Sequence, residues 1–236
     1  MKTTYSTSTR MKAWLVHWFT ATGIITVFMA LVEAGAADFR AAMLWLIAAQ
    51  LIDGVDGTLA RRYQVEKVLP QMSGKSIDFV IDFAGYAIVP AFMIYKANLM
   101  PDALSLGMAF LILLTSAIYY GKSGMISDNH YFVGFPVMWN MVAFYQIFIF
   151  PFPPYGHAAL IIVLAALQFV PIKFAYPSRT RRWRPATLLF TVLFVLSVTG
   201  LLWWHPDYPA ILYWGTLISL GYFAVFAIVA TFVYKD

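Results

Sequence analysis

Cysteine is absent from the 236-residue chain, which excludes disulfides, thiolate metal sites and thiol nucleophiles. Charged residues are also scarce, at 11% of the chain, whereas soluble domains carry about 25%. Apolar residues fill 61% of the sequence instead, and the mean hydropathy is +0.73. This composition is typical of a polytopic membrane protein.

Apolar stretches close to the roughly 20 residues that a bilayer requires recur along the whole chain. The first follows the basic residues Lys2, Arg10 and Lys12, and its length favours a retained anchor helix over a cleaved signal peptide. We predict an all-α, polytopic membrane helix bundle of about eight transmembrane helices, forming one domain over residues 1–236. The predicted spans are 13–33, 40–62, 76–97, 103–121, 132–151, 156–175, 186–204 and 209–233.

The basic residues are distributed unequally between alternate connections of this predicted bundle. Fourteen of the sixteen Lys and Arg residues fall on one side, and only Arg40 and Lys96 fall on the other. Because basic loops stay in the cytoplasm, both termini are predicted to be cytoplasmic. We interpret the run "PSRTRRWRP" (177–185) as a topology signal beside anionic lipid headgroups, or as a holder of an anionic lipid substrate. We expect no nucleic-acid partner.

Two aspartates interrupt the second apolar span. Asp53, Asp56, Gly57 and Ala60 lie at positions i, i+3, i+4 and i+7, which places them on one stripe of a helix. Arg61 falls beside that stripe at the predicted cytoplasmic end. An aspartate at a helix centre in a bilayer costs about 2.5–3.5 kcal/mol, so this stripe is a candidate functional site.

The third apolar span carries a matching stripe. Gly74, Asp78 and Asp82 follow one another at steps of four residues, shortly after Lys75. Helices joined by a short loop are normally antiparallel neighbours. At about 1.5 Å per residue, all four aspartates lie on the order of 5–12 Å inside the same boundary. The two stripes are therefore predicted to face each other.

Four converging carboxylates stay ionised in a medium of low dielectric only when cations lie between them. An oxygen-only ligand set is typical of a hard divalent ion such as Mg²⁺ or Mn²⁺, and the four scattered histidines argue against zinc. Four carboxylates are enough for two ions that clamp the oxygens of a phosphoryl transfer. The alternative is a set of paired or protonated acids, but few basic residues lie at the same depth.

Small residues interleave with the acids on both stripes. Gly57, Ala60 and Gly74 either allow close helix packing of the small-xxx-small kind or leave room for a flat group against the backbone. Arg61 then offers a fixed positive charge to a phosphate.

The whole pattern reads Asp53-x-x-Asp56-Gly57-x-x-Ala60-Arg61, twelve residues, then Gly74-x-x-x-Asp78-x-x-x-Asp82. It resembles the signature of the CDP-alcohol phosphotransferase family, integral-membrane enzymes of phospholipid synthesis built on a six-helix core. The eight predicted helices would add two to that core. The spacer is longer than the one common in the family, which suggests a particular branch.

The resemblance implies a role for each aspartate. Asp53, Asp56 and Asp78 would bind the metals. Asp82 would also contact a metal and act as the general base on the acceptor hydroxyl. Two ions, Mn²⁺ or Mg²⁺, are therefore the implied cofactors.

The resemblance also implies a nucleotide site, in which the cytidine diphosphate lies against the small residues and is oriented by the arginine. The segment "HWFTATG" (17–23) resembles an Asn-x-x-Thr element on the family's first helix, with His17 in the place of Asn. The residues implied for nucleotide binding are Asp53, Gly57, Ala60, Arg61, Gly74 and Thr20.

The segment "HWFTATG", the long spacer and the segment 128–140 together are similar to bacterial family members that join CDP-diacylglycerol to choline. This implies those two substrates, a location in the bacterial inner membrane and an active site facing the cytoplasm. Choline carries a permanent cation, which proteins recognise with aromatic faces and carboxylates. Candidate choline-binding residues are Tyr119, Tyr120, Asp128, Tyr131, Phe132 and Trp139. The alternative interpretation of these rings is an aromatic belt at the membrane interface.

Two other functions are left open by the residues. A sibling enzyme would transfer the same phosphatidyl group to serine, inositol phosphate or glycerol phosphate, with basic residues beside the site for an anionic acceptor. A cation-coupled transporter would also use intramembrane aspartates, but such proteins usually repeat their halves, and no second copy of the pattern occurs here. The sequence does not determine the oligomeric state, and a homodimer is one candidate assembly.

Overall fold

The computed structural model describes residues 5–234. Two short strands, β1 (Tyr131–Val133) and β2 (Lys173–Ala175), are the regular extended structure in that range. The remaining elements are the helices α1 (Thr7–Gly35), α2 (Phe39–Arg62), α3 (Val65–Val68), α4 (Gly74–Lys96), α5 (Asp102–Tyr120), α6 (Trp139–Ile149), α7 (Pro154–Leu167), α8 (Arg184–Trp203) and α9 (Ala210–Phe232). The prediction of an all-α polytopic bundle is confirmed.

Six helices within residues 5–234 are long and apolar enough to cross a membrane: α1, α2, α4, α5, α8 and α9. The two other predicted spans are shorter than expected. Helix α6 begins at Trp139 instead of 132, and α7 ends at Leu167 instead of 175. Pro136 and Pro171 explain both limits, because proline lacks the N–H that a helix interior requires. The residues left over form β1 and β2.

The bilayer-facing surface of the bundle is apolar. Leu15, Trp18 and Ile25 of α1, for example, are each more than 60% exposed. Apolar side chains in such a position are stable next to lipid and unfavourable next to water. The protein is therefore a multi-pass membrane protein.

Helices α1 and α2 form a tight antiparallel pair. Only residues 36–38 separate them, and the Asp38 side chain begins α2 by accepting a hydrogen bond from the Ala41 amide at 2.9 Å. Gly23 of α1 lets the pair meet α4 closely, since a Cβ at Gly23 would lie 3.2 Å from Ile81 and 3.8 Å from Ile52. Helix α1 therefore backs α2 and α4 next to the four aspartates.

The strand pair joins two distant connections of the chain. Phe132 of β1 pairs with Phe174 of β2 in an antiparallel register. The Thr180 hydroxyl donates to the His130 carbonyl at 2.8 Å, and the Tyr176 amide donates to the Thr180 hydroxyl at 2.8 Å. These bonds hold the basic run 177–185 near the ends of α2 and α4 at which the acids lie.

Candidate active site

Three of the four aspartates form one cluster, which we call the acid cluster. Asp53 comes from α2, and Asp78 and Asp82 come from α4. Each offers a carboxylate oxygen, and these oxygens all lie within 4.8 Å of one another. The Tyr86 hydroxyl donates a hydrogen bond to Asp53 Oδ2 at 3.1 Å. The two predicted stripes therefore face each other across α2 and α4.

Asp56 lies outside this trio, on the α1 side of the site. It is only 7% exposed, and it interacts with Thr20 of α1 and with the charges of Asp53 and Arg61. The family resemblance implied that Asp53, Asp56 and Asp78 bind the metals and that Asp82 also contacts one. In the structure, the oxygens that lie within 4.8 Å of one another belong to Asp53, Asp78 and Asp82.

The acid cluster has the composition and spacing that suit a divalent metal ion. Its donors are carboxylate oxygens alone, as Mg²⁺ and Mn²⁺ prefer. Lys75 pairs with Glu66 at 3.6 Å rather than with an aspartate. Among residues 5–234, the clustered carboxylates form no ion pair with a basic side chain. Partly buried carboxylates without a cation are costly, so a cation bound here would stabilise this arrangement.

A cavity of about 890 Å³ opens beside the acid cluster. Asp56 and Asp78 form part of its wall, whereas Asp53 and Asp82 do not line it. The residues that resemblance implied for the nucleotide and that line this cavity are Thr20, Gly57, Ala60, Arg61 and Gly74. Its basic lining residues, which we call the basic mouth, are Arg61, Lys67, Lys75, Arg179, Arg181 and Arg184.

The two glycines of the motif leave different amounts of space. A Cβ built on Gly57 would meet only the Arg61 guanidinium, at 3.3 Å from Nη1. A Cβ on Gly74 would touch the His17 ring, at 3.4 Å from Cε1. Gly57 therefore keeps the α2 wall of the cavity flat, while Gly74 lets α4 begin against α1.

The side of the acid cluster formed by α4 and α5 is aromatic. The Tyr120 ring makes edge contacts with Phe79 at 5.6 Å and Phe83 at 6.0 Å between centroids. Asp82, Asp53 and Asp78 interact electrostatically with the Tyr120 hydroxyl, and Tyr86 bonds to Asp53. We call Phe79, Phe83, Tyr86 and Tyr120 the aromatic side.

Tyr176 lies beside Arg179 of the basic mouth and within electrostatic range of the acid cluster. Its ring stacks on Phe132 at 4.5 Å, and the Arg179 guanidinium lies 5.2 Å from the ring centroid. Burial raises the pKa of Tyr176, Arg179 lowers it, and the charges of the acid cluster raise it further. Tyr176 is therefore within reach of both the arginine and the carboxylates.

The predicted choline-binding residues occupy separate environments. Trp139 is fully buried in the bundle and donates its indole N–H to Ser116 Oγ at 2.9 Å, and Tyr119 is buried in the same hydrophobic cluster. Tyr131 has Lys173 Nζ 5.9 Å from its ring centroid and shares a second cavity, of about 390 Å³, with Asp128. The structure does not bring these residues together with Phe132 into one cavity.

Some residues beside the acids were not singled out from the sequence. Tyr86 follows Asp78 and Asp82 at the same spacing of four residues. The periodicity of α4 could therefore have predicted that Tyr86 lies on the same face as these acids. From the sequence, Arg179 and its neighbours were interpreted as a topology signal or as residues that hold an anionic lipid substrate. Only the β1–β2 pairing and the Thr180 bonds place Arg179 at the cavity and within electrostatic reach of Asp78.

No protein-family model matches this chain, but several known proteins are similar to it in sequence. A phosphatidylcholine synthase from Mesorhizobium japonicum is 40% identical over 182 residues, covering 77% of this chain and 68% of that protein. The one from Pseudomonas aeruginosa is 38% identical over 204 residues, covering 86% and 85%. The one from Borreliella burgdorferi is 30% identical over 190 residues, covering 79% and 81%. At this identity and coverage, the chain belongs to the phosphatidylcholine synthase family.

Proposed function

We propose that this protein transfers the phosphatidyl group of CDP-diacylglycerol to choline, which yields phosphatidylcholine and releases CMP. The observation that carries the proposal is the acid cluster beside a large cavity with a basic mouth, to whose wall Asp78 of the cluster contributes. An anionic diphosphate requires the basic groups. Phosphoryl transfer requires concentrated positive charge at the reacting oxygens, which divalent ions held by the carboxylates would supply. The family relatives support the same activity.

The orientation that we propose follows from the residues at the cavity opening. The basic mouth draws on the connections that carry most of the Lys and Arg residues. By the positive-inside rule, the cavity opens to the cytoplasm and both termini lie on that side of a bacterial inner membrane. CDP-diacylglycerol then enters from the bilayer with its acyl chains still in lipid.

The nucleotide end of CDP-diacylglycerol binds in the cavity. Arg61 and Arg179 bind the diphosphate, because a guanidinium forms strong paired hydrogen bonds with phosphate oxygens. The cytidine lies along the flat wall at Gly57 and Ala60, and Thr20 contributes a hydroxyl. These groups hold the reacting phosphorus in one position, which is a large part of catalysis in phosphoryl transfer.

Asp53, Asp56, Asp78 and Asp82 would hold two divalent ions, Mg²⁺ or Mn²⁺. When bound, such ions neutralise the charge that develops on the phosphoryl oxygens. The Tyr86 hydroxyl fixes the Asp53 carboxylate by its hydrogen bond.

Asp82 accepts the proton of the choline hydroxyl. The choline oxygen forms a bond to the phosphorus that carries diacylglycerol, and the bond from that phosphorus to the CMP oxygen breaks. CMP leaves with the bonding electron pair, and Arg61 and Arg179 stabilise its charge. The products are phosphatidylcholine, CMP and one proton on Asp82.

Purified protein in lipid nanodiscs with CDP-diacylglycerol tests the function. Choline, serine, inositol phosphate and glycerol phosphate are offered in turn with Mn²⁺ or Mg²⁺, and CMP and the lipid product are measured. We expect CMP and phosphatidylcholine with choline alone, and no turnover after chelation of the metal. CMP release with serine or a phosphate acceptor instead would assign a sibling activity. Ion uptake into sealed proteoliposomes without CMP release would assign transport.

A further inference from the structure

We propose that Tyr86 and Tyr120 bind the trimethylammonium group of choline on the aromatic side of the acid cluster. The inference rests on the proposed function, because it names the place of the acceptor in that reaction. It changes the sequence-based set of candidates: Tyr120 was among them, Tyr86 was not, and Trp139 and Tyr119 are buried in the bundle core.

The first support is the arrangement of rings. Tyr86 is one helical turn beyond Asp82 on α4, and Tyr120 ends α5. Phe79 and Phe83 brace the Tyr120 ring through their edge contacts. Both tyrosines and all three clustered carboxylates are half-buried, so neither ring is sealed in the bundle core.

The second support is the charge that these rings face. Asp56 interacts with Arg61, and Asp78 interacts with Arg179. Asp82 interacts with the other three aspartates, and no Lys or Arg among residues 5–234 is ion-paired with it. Among the described residues, the Asp82 end of the cluster therefore has other acids and aromatic rings beside it and no paired Lys or Arg.

The chemistry of choline matches this surface. A quaternary ammonium cannot donate a hydrogen bond, so it is held by aromatic faces and nearby negative charge. The hydroxyl of choline is only two carbons from the nitrogen. When the hydroxyl lies at Asp82, the ammonium is therefore close enough to contact the aromatic rings next to Asp82. Serine and phosphate acceptors would bring a negative charge towards Asp82, which the surface disfavours.

The test is the kinetics of Tyr120→Leu, with CMP release as the measurement. We expect the KM for choline to rise about tenfold with the KM for CDP-diacylglycerol unchanged, because the ring face is lost. Tyr120→Phe keeps the face and should retain the wild-type KM within about twofold. Phe110→Leu is the matched control, since Phe110 lies on the same helix and is 53% exposed on the outer surface.

A neutral isostere separates charge recognition from shape. The compound 3,3-dimethylbutan-1-ol replaces the trimethylammonium of choline with a tert-butyl group. Wild-type protein should bind choline more tightly than this alcohol, and Tyr120→Leu should lose most of that preference. Tyr120→Met repeats the test with an unbranched side chain, should Tyr120→Leu fail to fold.

The outcomes distinguish this inference from the proposed function. Choline-dependent CMP release with an unchanged choline KM in Tyr120→Leu and Tyr120→Met overturns the site and leaves the function standing. An absence of choline-dependent CMP release in the wild-type protein overturns the function itself. A rise in both KM values would assign Tyr120 a structural role and also overturn the site.

Discussion

The two sides of the acid cluster present opposite surfaces to the substrates. Towards the cavity, Asp56 and Asp78 interact with Arg61 and Arg179, and further basic residues surround the opening. Towards α5, Asp82 is surrounded by other aspartates and by aromatic rings. The same carboxylates therefore border an anion-binding surface on one side and a cation-binding surface on the other.

This difference suggests how one compact site holds two substrates of opposite charge. A diphosphate at the α5 side would meet aromatic rings in place of the arginines of the cavity, and a quaternary ammonium in the basic mouth would meet several arginines. Each substrate is disfavoured on the other's side, so the charges order them around the reacting phosphorus. The following changes test that division.

Asp82→Asn should have the largest effect, because it removes the proposed base at the boundary of the two surfaces. We expect kcat to fall by about 10²–10⁴-fold, with the protein still folded. Rates from single-turnover CMP release measure it. Asp207→Asn, an exposed aspartate in the connection between α8 and α9, is the matched control. Wild-type kcat in Asp82→Asn would remove Asp82 as the base.

Arg179→Ala should affect only the anion-binding side. Loss of a charge-assisted hydrogen bond to phosphate should raise the KM for CDP-diacylglycerol about tenfold to a hundredfold and leave the KM for choline unchanged. The comparison variant is Arg182→Ala, since the Arg182 guanidinium lies 3.6 Å from the Tyr234 ring centroid and does not line the large cavity. Equal effects of the two substitutions would contradict a specific role for Arg179.

Tyr176→Leu should have a smaller effect on the same side. Its ring holds Arg179 by a cation–π contact, so its loss should raise the KM for CDP-diacylglycerol about twofold to tenfold, with kcat nearly unchanged. Tyr176→Phe keeps the ring and should retain the wild-type KM for CDP-diacylglycerol. If Tyr176→Leu instead raises the KM for choline, Tyr176 belongs to the cation-binding surface, and the boundary lies elsewhere.

Ser116→Ala should change stability alone, because it removes the hydrogen-bond acceptor of the buried Trp139 indole. We expect unfolding free energy to fall by about 1 kcal/mol and both KM values to stay the same. Thermal unfolding in detergent and the same kinetic assay measure these quantities. A changed KM for choline would bring Trp139 back as a choline-binding residue.

Some of this architecture follows directly from local sequence. Helical periodicity puts Asp53 and Asp56 on one stripe and Asp78 and Asp82 on another, and the short connection makes α2 and α4 neighbours. Apolar length likewise predicted the six long helices to within a few residues, apart from an earlier start of α1. The limits of α6 and α7 were misjudged because hydropathy does not register Pro136 and Pro171, which interrupt helical hydrogen bonding.

Local sequence is enough to predict the acid-bearing helices and the oxygen-only chemistry of their stripes, because both depend on contacts within one or two turns. Which residues meet those acids from elsewhere in the chain depends on the tertiary packing. Arg179 reaches the cavity through the pairing of residues 131–133 with 173–175, and Tyr120 reaches the acids through the packing of α5 on α4. Such contacts join residues far apart in the chain, and no local periodicity encodes their distance.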